Sequence, residues 1–153
     1  MTREELERID DLHMRAWNEQ DTDAFLSLLA DEFVWRDVTV AEPMTTREAA
    51  RAYMSGWFTA FPDMRVTVTS RVVGEDAVAA EVQFTGTNTG PLSMGGMQMP
   101  ATGKGVMASG AYFTKVRDGR LTEFSTHPDA AGMMVQLGLM PEASDARTAP
   151  PRG

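Results

Sequence analysis

The spacing of the apolar residues changes along the chain, and this change constrains the fold more than any other feature. Before residue 60 the spacing is mostly helical, which predicts a helix over about Arg3–Asn18, a second after the cap Asp21 and a third from the capping box Thr45–Glu48. After residue 65 the two-residue alternation of strands prevails, until a short helix begins at about Asp129. This order predicts an α+β domain in which helices pack on one side of a mainly antiparallel sheet.

One strand interrupts the helical half, and it carries a carboxylate at an unusual place. Phe33, Trp35 and Asp37 lie on the same face of this strand. The alternation that buries the two aromatic rings therefore directs Asp37 inward as well. An unpaired buried charge is costly, and proteins tolerate it mainly where it has a function.

The second half supplies the rest of the sheet. One strand face is predicted from alternating residues: Val66, Val68, Ser70 and Val72. Asp118-Gly119 predicts a two-residue hairpin between strands that contain Tyr112 and Leu121. The segment Gly90–Gly103, rich in Met, Gly and Pro, is predicted to be an adaptable loop that closes over a pocket. We expect a single domain over 1–141 and a disordered tail over 142–153.

Composition narrows the possible chemistry. The chain of 153 residues has no cysteine and only two histidines, which argues against disulfides, thiolate nucleophiles and multi-histidine metal centres. No Gly-rich phosphate loop follows a strand, so no cofactor is expected. The net charge of −8 argues against nucleic acid and anionic membranes as partners. No apolar run is long enough to span a membrane, and the charged N-terminal segment predicts a cytoplasmic protein.

Several short segments occur in an order that is typical of one family. They are Trp17–Asp21, Phe61–Arg65, Phe84–Gly90, Pro100–Lys104, Asp118–Leu121, and Asp129 followed by Gln136–Leu139. In this order they resemble the SnoaL-like polyketide (ester) cyclases of the nuclear transport factor 2-like superfamily. The resemblance implies a cone-shaped, strongly curved, mainly antiparallel sheet packed around helices, with a pocket inside and a homodimeric assembly. It also implies intramolecular aldol ring closure of a hydrophobic, polyketide-like substrate without a cofactor.

Two aspartates are candidates for the base of such a reaction. The resemblance implies that Asp129, just before the last helix, takes the proton, but Asp129 could instead be only the N-cap of that helix. Asp37 falls where ketosteroid isomerases, distant relatives, carry their proton-shuttling aspartate. The alternative for Asp37 is a strand-end carboxylate that is paired with a nearby donor.

The two histidines are candidates for stabilising or protonating the oxygen. His13 lies on the apolar face of the first helix, where the isomerases place an oxyanion-binding tyrosine, and is otherwise a satisfied core residue. His127 could orient Asp129 or a substrate carbonyl, or be a solvated strand end. The isomerase pattern fails at Val106–Phe113, which holds no carboxylic acid.

Apolar residues are expected to form the wall of the substrate pocket. The candidates are Trp35, Tyr53, Trp57, Phe84, Met97, Tyr112 and Met133. We therefore predict a cofactor-independent cyclase for a hydrophobic carbonyl compound. A SnoaL-like isomerase or hydroxylase, an epoxide hydrolase, and a non-catalytic small-molecule-binding domain are the alternatives.

Overall fold

The computed structural model describes residues 1–94 and 96–141, so the tail predicted over 142–153 lies outside the described residues. The helices are α1 (Arg3–Asn18), α2 (Thr22–Leu28), α3 (Arg47–Ala60) and α4 (Ala130–Gln136). The strands are β1 (Leu29–Asp37), β2 (Arg65–Val73), β3 (Ala77–Thr87), β4 (Leu92–Met94), β5 (Met97–Met99), β6 (Gly105–Arg117) and β7 (Arg120–Pro128).

Five strands form one sheet in the order β1-β7-β6-β3-β2, and β4 pairs with β5 in a separate hairpin. All neighbours in the large sheet are antiparallel except β1 and β7, which run parallel. The helices α1, α2 and α3 cover its inner face, whose buried residues include Phe33, Trp35, Tyr112 and Phe124. The predicted α+β fold, with a curved and mainly antiparallel sheet around helices, is confirmed.

The predicted hairpin turn and the predicted N-cap of α2 also form. Asp118 and Gly119 have φ angles of 52° and 78°, the left-handed pair that a two-residue hairpin between β6 and β7 needs. The side chain of Asp21 accepts a hydrogen bond from the backbone N–H of Ala24 and caps α2.

The start of α3 differs by one residue from the prediction. Thr46, not Thr45, is the N-cap, and its hydroxyl accepts a hydrogen bond from the N–H of Ala49 at 3.1 Å. The third helical position is then Ala49 rather than Glu48, so the predicted capping box does not form.

The alternation predicted for β2 holds only for its first half. A β-bulge between Val68 and Ser70 shifts the register against β3, and this shift exchanges the two faces of the strand. Val72 is therefore 67% exposed, and Arg71 points to the inner side instead. The prediction that Ser70 and Val72 share the face of Val66 and Val68 is wrong.

The segment Gly90–Gly103 is more regular than a loop. It holds β4 and β5, and Leu92 and Met99 are buried in the core. Asn88 ties its two ends together, since its amide donates to the carbonyl of Gly90 and accepts from the N–H and the hydroxyl of Thr102. No helix among the described residues has the length and apolar character needed to cross a membrane.

Candidate functional site

An apolar cavity of about 110 Å³ lies between α1, α3 and the inner face of the sheet. All three tryptophans of the chain, Trp17, Trp35 and Trp57, line it. Most of the predicted site residues also line it: His13, Trp35, Asp37, Tyr53, Trp57, Phe84, Tyr112, His127 and Met133. No described residue of Gly90–Gly103 lines it, so the described part of this segment does not form the predicted cover.

Asp37 is the carboxylate of this cavity, and it is only 6% exposed. Its Oδ1 accepts hydrogen bonds from the N–H of Thr39 at 2.7 Å and the hydroxyl of Thr39 at 2.5 Å. Its Oδ2 accepts from the hydroxyl of Tyr53 at 2.5 Å and from the hydroxyl of Thr126. No salt bridge to Asp37 forms among the described residues. Four neutral donors therefore hold a buried charge that has no cationic partner.

The parallel pairing of β1 and β7 brings these donors together. Asp37 is opposite Thr126 in the register, and Thr126 also accepts a hydrogen bond from the indole nitrogen of Trp35 at 3.0 Å. Tyr53 reaches Asp37 from α3. Burial and then the charge of Asp37 raise the pKa of Tyr53 well above its ordinary value, so its hydroxyl remains a donor at neutral pH.

A second polar group lies where α1 meets the sheet. His13 is 1% exposed, and neither ring nitrogen has a hydrogen-bond partner in the described part of the chain. Its Nδ1 lies 3.6 Å from Oδ1 of Asp10, three residues earlier on the same helix. Tyr112 donates its hydroxyl proton to Asp10, with O···O distances of 2.6 and 2.8 Å to the two carboxylate oxygens.

Arg71 completes this second group from β2. Its Nη1 donates to Asp10 at 3.2 Å and to Asp11 at 2.8 Å. Burial acts to raise the pKa of Asp10, but the contacts with His13, Tyr112 and Arg71 outweigh it and lower the pKa below its ordinary value. Asp10 is therefore ionised at neutral pH.

Asp129 lies outside the cavity. It is exposed, and its Oδ1 accepts a hydrogen bond from the N–H of Gly132 at 2.9 Å, so it is the N-cap of α4. The structure therefore agrees with the alternative in which Asp129 is a helix cap. Its N–H donates to the carbonyl of Ser109, which ties the start of α4 to β6.

Of the two remaining predicted site residues, His127 lines the cavity and Met97 does not. His127 borders the cavity, but its exposed ring lies 2.8 Å from the hydroxyl of Ser125 and makes an edge contact with Phe113 on the outer face of the sheet. Met97 is 65% exposed in β5 and does not reach the cavity. The described residues contain no group of three or more His, Cys, Asp or Glu side chains that could hold a metal ion.

The structure adds four polar residues that the sequence prediction did not include as site residues: Asp10, Thr39, Arg71 and Thr126. For Asp10 a signal existed, because it is three residues before His13 on the face of α1 that packs inward. For Thr126 and Arg71 the deciding features are the parallel register of β1 with β7 and the bulge in β2. Neither feature has a marker in a single sequence.

Comparisons with known proteins agree with this architecture. The model of the SnoaL-like domain family matches residues 11–124. Among solved structures, AclR, a candidate hydroxylase of Streptomyces galilaeus, is 23% identical with a TM-score of 0.78, over 92% of this chain and 100% of AclR. IdmH, a candidate polyketide cyclase of Streptomyces antibioticus, is 27% identical with a TM-score of 0.72, over 86% of this chain and 97% of IdmH.

A Catenulispora acidiphila protein with a ketosteroid isomerase-like fold is 19% identical, with a TM-score of 0.70, over 86% of this chain and 93% of that one. No curated protein matches the sequence. These likenesses confirm the fold that the order of helices and strands predicts.

Proposed function

The chain belongs to the SnoaL-like domain family, and we propose that it is a cofactor-independent enzyme that closes a ring in a hydrophobic carbonyl compound by an aldol-type reaction. The family and the likeness to IdmH support an enzyme of the cyclase or isomerase type. Ring closure by general acid–base chemistry is the finer proposal. We also propose that this reaction belongs to natural-product biosynthesis and takes place in the cytoplasm.

The observation that carries the proposal is the buried carboxylate of Asp37 in a mainly apolar cavity. Burial disfavours the charged form of a carboxylate, whereas hydrogen bonds to its oxygens favour it. Here the donors are hydroxyls and one N–H rather than a cation, so the charge is held without being neutralised. Such a carboxylate can take up a proton on Oδ2 when one of the two hydroxyls there turns and accepts a hydrogen bond instead of donating it.

The proposed reaction begins when Asp37 removes a proton from a carbon next to a carbonyl group. The resulting enolate carbon attacks a second carbonyl of the same molecule, which forms the new carbon–carbon bond and an alkoxide. The alkoxide then takes the proton held on Asp37, either directly or after His13 has accepted it and passed it on, so that atoms and charge balance. The aromatic wall holds the two reacting ends together, which supplies much of the rate.

The volume of the cavity bears on the substrate. About 110 Å³ is below the 300–1,000 Å³ that is usual for drug-sized ligands, so a compact compound of about one ring fits without movement of the wall. Larger substrates need side chains to shift. Met14, Met64 and Met133 are in the wall, and methionine adapts readily to the shape of a ligand.

Two small ketones test the proposal. Exchange of hydrogen for deuterium next to the carbonyl of 2-tetralone in D₂O, followed by NMR, reports deprotonation. Conversion of 2,6-heptanedione to a six-membered cyclic ketol or enone reports ring closure. We expect the protein to accelerate both, and we expect Asp37→Asn to lower the rate by about 10²–10⁴-fold. The matched control is Asp129→Asn, which replaces a carboxylate that caps α4 outside the cavity by another good cap.

Binding is measured separately, because all three tryptophans line the cavity and their fluorescence responds to an occupant. If 2-tetralone changes this fluorescence but neither its exchange nor ring closure of the diketone exceeds the buffer rate, the cavity is a binding site and the enzymatic proposal is wrong. If exchange is fast but unaffected by Asp37→Asn, the enzyme stands and the base is another group.

We also propose that the protein is a homodimer that pairs through the outer face of the sheet. Val72, Met107 and Phe113 are 67%, 61% and 52% exposed, and in the alternation of their strands they lie on the side away from the helices. Large apolar side chains exposed on one face are typical of an association surface.

A further inference from the structure

The imidazole of His13 is a buried polar group whose hydrogen bonds are not satisfied. Nearly all buried polar groups in proteins have a partner, so an exception that borders a cavity points to a partner that enters with a ligand or with water. The ring is also fixed in place. Phe25, Tyr112 and Phe124 surround it, with ring-centroid distances of 5.5, 4.8 and 4.9 Å.

Asp10 places a carboxylate close to this ring. Its Oδ1 lies 3.6 Å from Nδ1 of His13, a separation slightly too long for a good hydrogen bond and short enough for the charge of the carboxylate to act on that nitrogen. Tyr112 and Arg71 hold the carboxylate from two other elements of the fold, β6 and β2. The negative charge is thus fixed on the Nδ1 side of the imidazole.

A fixed anion beside one ring nitrogen decides which nitrogen of a neutral imidazole carries the proton. The proton is favoured on Nδ1, where it faces Asp10, and the lone pair is then on Nε2, at the other end of the ring. A neutral histidine in this form accepts a proton at Nε2 and donates it only afterwards. This order differs from the expectation that His13 is simply an oxyanion donor.

We propose that Asp10 is a positioning residue that holds His13 in the Nδ1–H form, so that Nε2 is the nitrogen that exchanges protons with a ligand in the cavity. Asp10 itself does not touch the ligand. It acts through His13, while Tyr112 and Arg71 keep its carboxylate in place. The chemical use of this arrangement rests on the proposed function, but the protonation pattern of the ring does not.

The ring is observed directly by nitrogen NMR of the ¹⁵N-labelled full chain at about pH 8, where an ordinary histidine is neutral. The chain has only two histidines, so a spectrum of His127→Gln identifies the signals of His13. We expect the shift of a protonated nitrogen at Nδ1 and the shift of an unprotonated nitrogen at Nε2. In Asp10→Asn the preference should weaken to a mixture of both forms, because an amide can present either its oxygen or its NH₂ group.

The matched control is Asp11→Asn. Asp11 also accepts a hydrogen bond from Arg71, but its side chain is exposed, so the protonation pattern should stay as in the parent. If the parent already carries the proton on Nε2, the proposal is overturned, whether or not Asp10→Asn folds. It is equally overturned if Asp10→Asn folds and leaves the pattern unchanged.

The same variants separate this inference from the proposed function. With 2-tetralone as the probe, Asp10→Asn and His13→Gln should both slow deuterium exchange by at least about tenfold. The upper bound is about 10⁴-fold, which is the loss in serine proteases when the aspartate that sets the tautomer of the histidine is replaced. Exchange that is fast in the parent and unchanged in both variants overturns the proton-transfer role of His13. Absence of exchange in the parent instead contradicts the proposed function and leaves the NMR result standing.

Discussion

Two replacements of Asp37 separate its contribution to the fold from its contribution to chemistry. In Asp37→Asn, the amide oxygen in place of Oδ1 still accepts from the N–H and hydroxyl of Thr39. The amide nitrogen in place of Oδ2 faces the hydroxyls of Tyr53 and Thr126. A hydroxyl can accept as well as donate, so both can turn and receive the two amide protons. The hydrogen-bond network survives with its polarity reversed.

The free energy of unfolding should therefore change little in Asp37→Asn, by less than about 1.5 kcal/mol, since lost charge-assisted bonds are offset by the removal of a buried charge. In Asp37→Ala all four donors lose their acceptor. At about 1 kcal/mol for each, the lower end for an unsatisfied buried donor, the loss is about 4 kcal/mol. The two variants thus differ by a factor of about three in stability cost, whereas both lack the base.

The assay combines urea unfolding, followed by tryptophan fluorescence, with deuterium exchange into 2-tetralone. We expect Asp37→Asn to unfold close to the parent while exchange falls by about 10²–10⁴-fold. An Asp37→Asn protein as unstable as Asp37→Ala would refute the reversed network. Exchange within about threefold of the parent would refute the role of Asp37 as the base.

Four further predictions follow from other contacts. Asp129→Asn should leave the exchange of 2-tetralone unchanged, and a loss like that of Asp37→Asn would return Asp129 to the reaction. Gly90→Ala should lower the free energy of unfolding by more than about 3 kcal/mol, because its Cβ would lie 1.9 Å from the carbonyl oxygen of Thr59. Gly56→Ala in α3 has open space around the new Cβ and should stabilise the fold by about 0.5–1 kcal/mol. Urea unfolding measures both changes. The pKa of Asp10 is lowered by folding, so the ionised Asp10 stabilises the fold fully above the unfolded-state pKa of about 4, and this stabilisation is lost as the pH falls. The difference in free energy of unfolding between the parent and Asp10→Asn, measured in urea, should therefore shrink between pH 7 and pH 3. Light scattering should show a dimer for the parent and a monomer for Phe113→Lys, and a parent that is monomeric at tens of micromolar would contradict the assembly.

Local patterns in the sequence predict the parts of the fold that depend on neighbouring residues. The helical spacing of α1 places His13 on the buried face, and the alternation of β1 places Asp37 there. Asp118-Gly119 predicts the β6–β7 hairpin because few other dipeptides adopt its positive φ angles. In these cases the information lies within a few residues of the feature.

The missed parts depend on pairings between distant segments. The β2 bulge that turns Arg71 inward is visible only against β3, and the contact of Thr126 with Asp37 exists only because β1 lies parallel to β7. For Asp129 the local pattern predicts the observed contacts, while its role as a base stays a prediction. A family resemblance marked it as a base, whereas the local rule that an aspartate before a helix is a cap describes its contacts correctly.

The positions of the protons on the polar side chains favour a reaction in which two side chains, rather than one, transfer protons. Each carboxylate of the site already accepts a hydrogen bond from a tyrosine hydroxyl, Asp37 from Tyr53 and Asp10 from Tyr112. Burial, and then the contact with its aspartate, raises the pKa of each phenol, so neither is deprotonated near neutral pH. These hydroxyls are committed to their aspartates and are poor proton sources for an alkoxide. Among the described residues, His13 is the buried side chain whose polar atoms have no hydrogen-bond partner. In the proposed reaction Asp37 therefore removes the proton from carbon, and His13, not a tyrosine, is the side chain that can pass a proton on to oxygen.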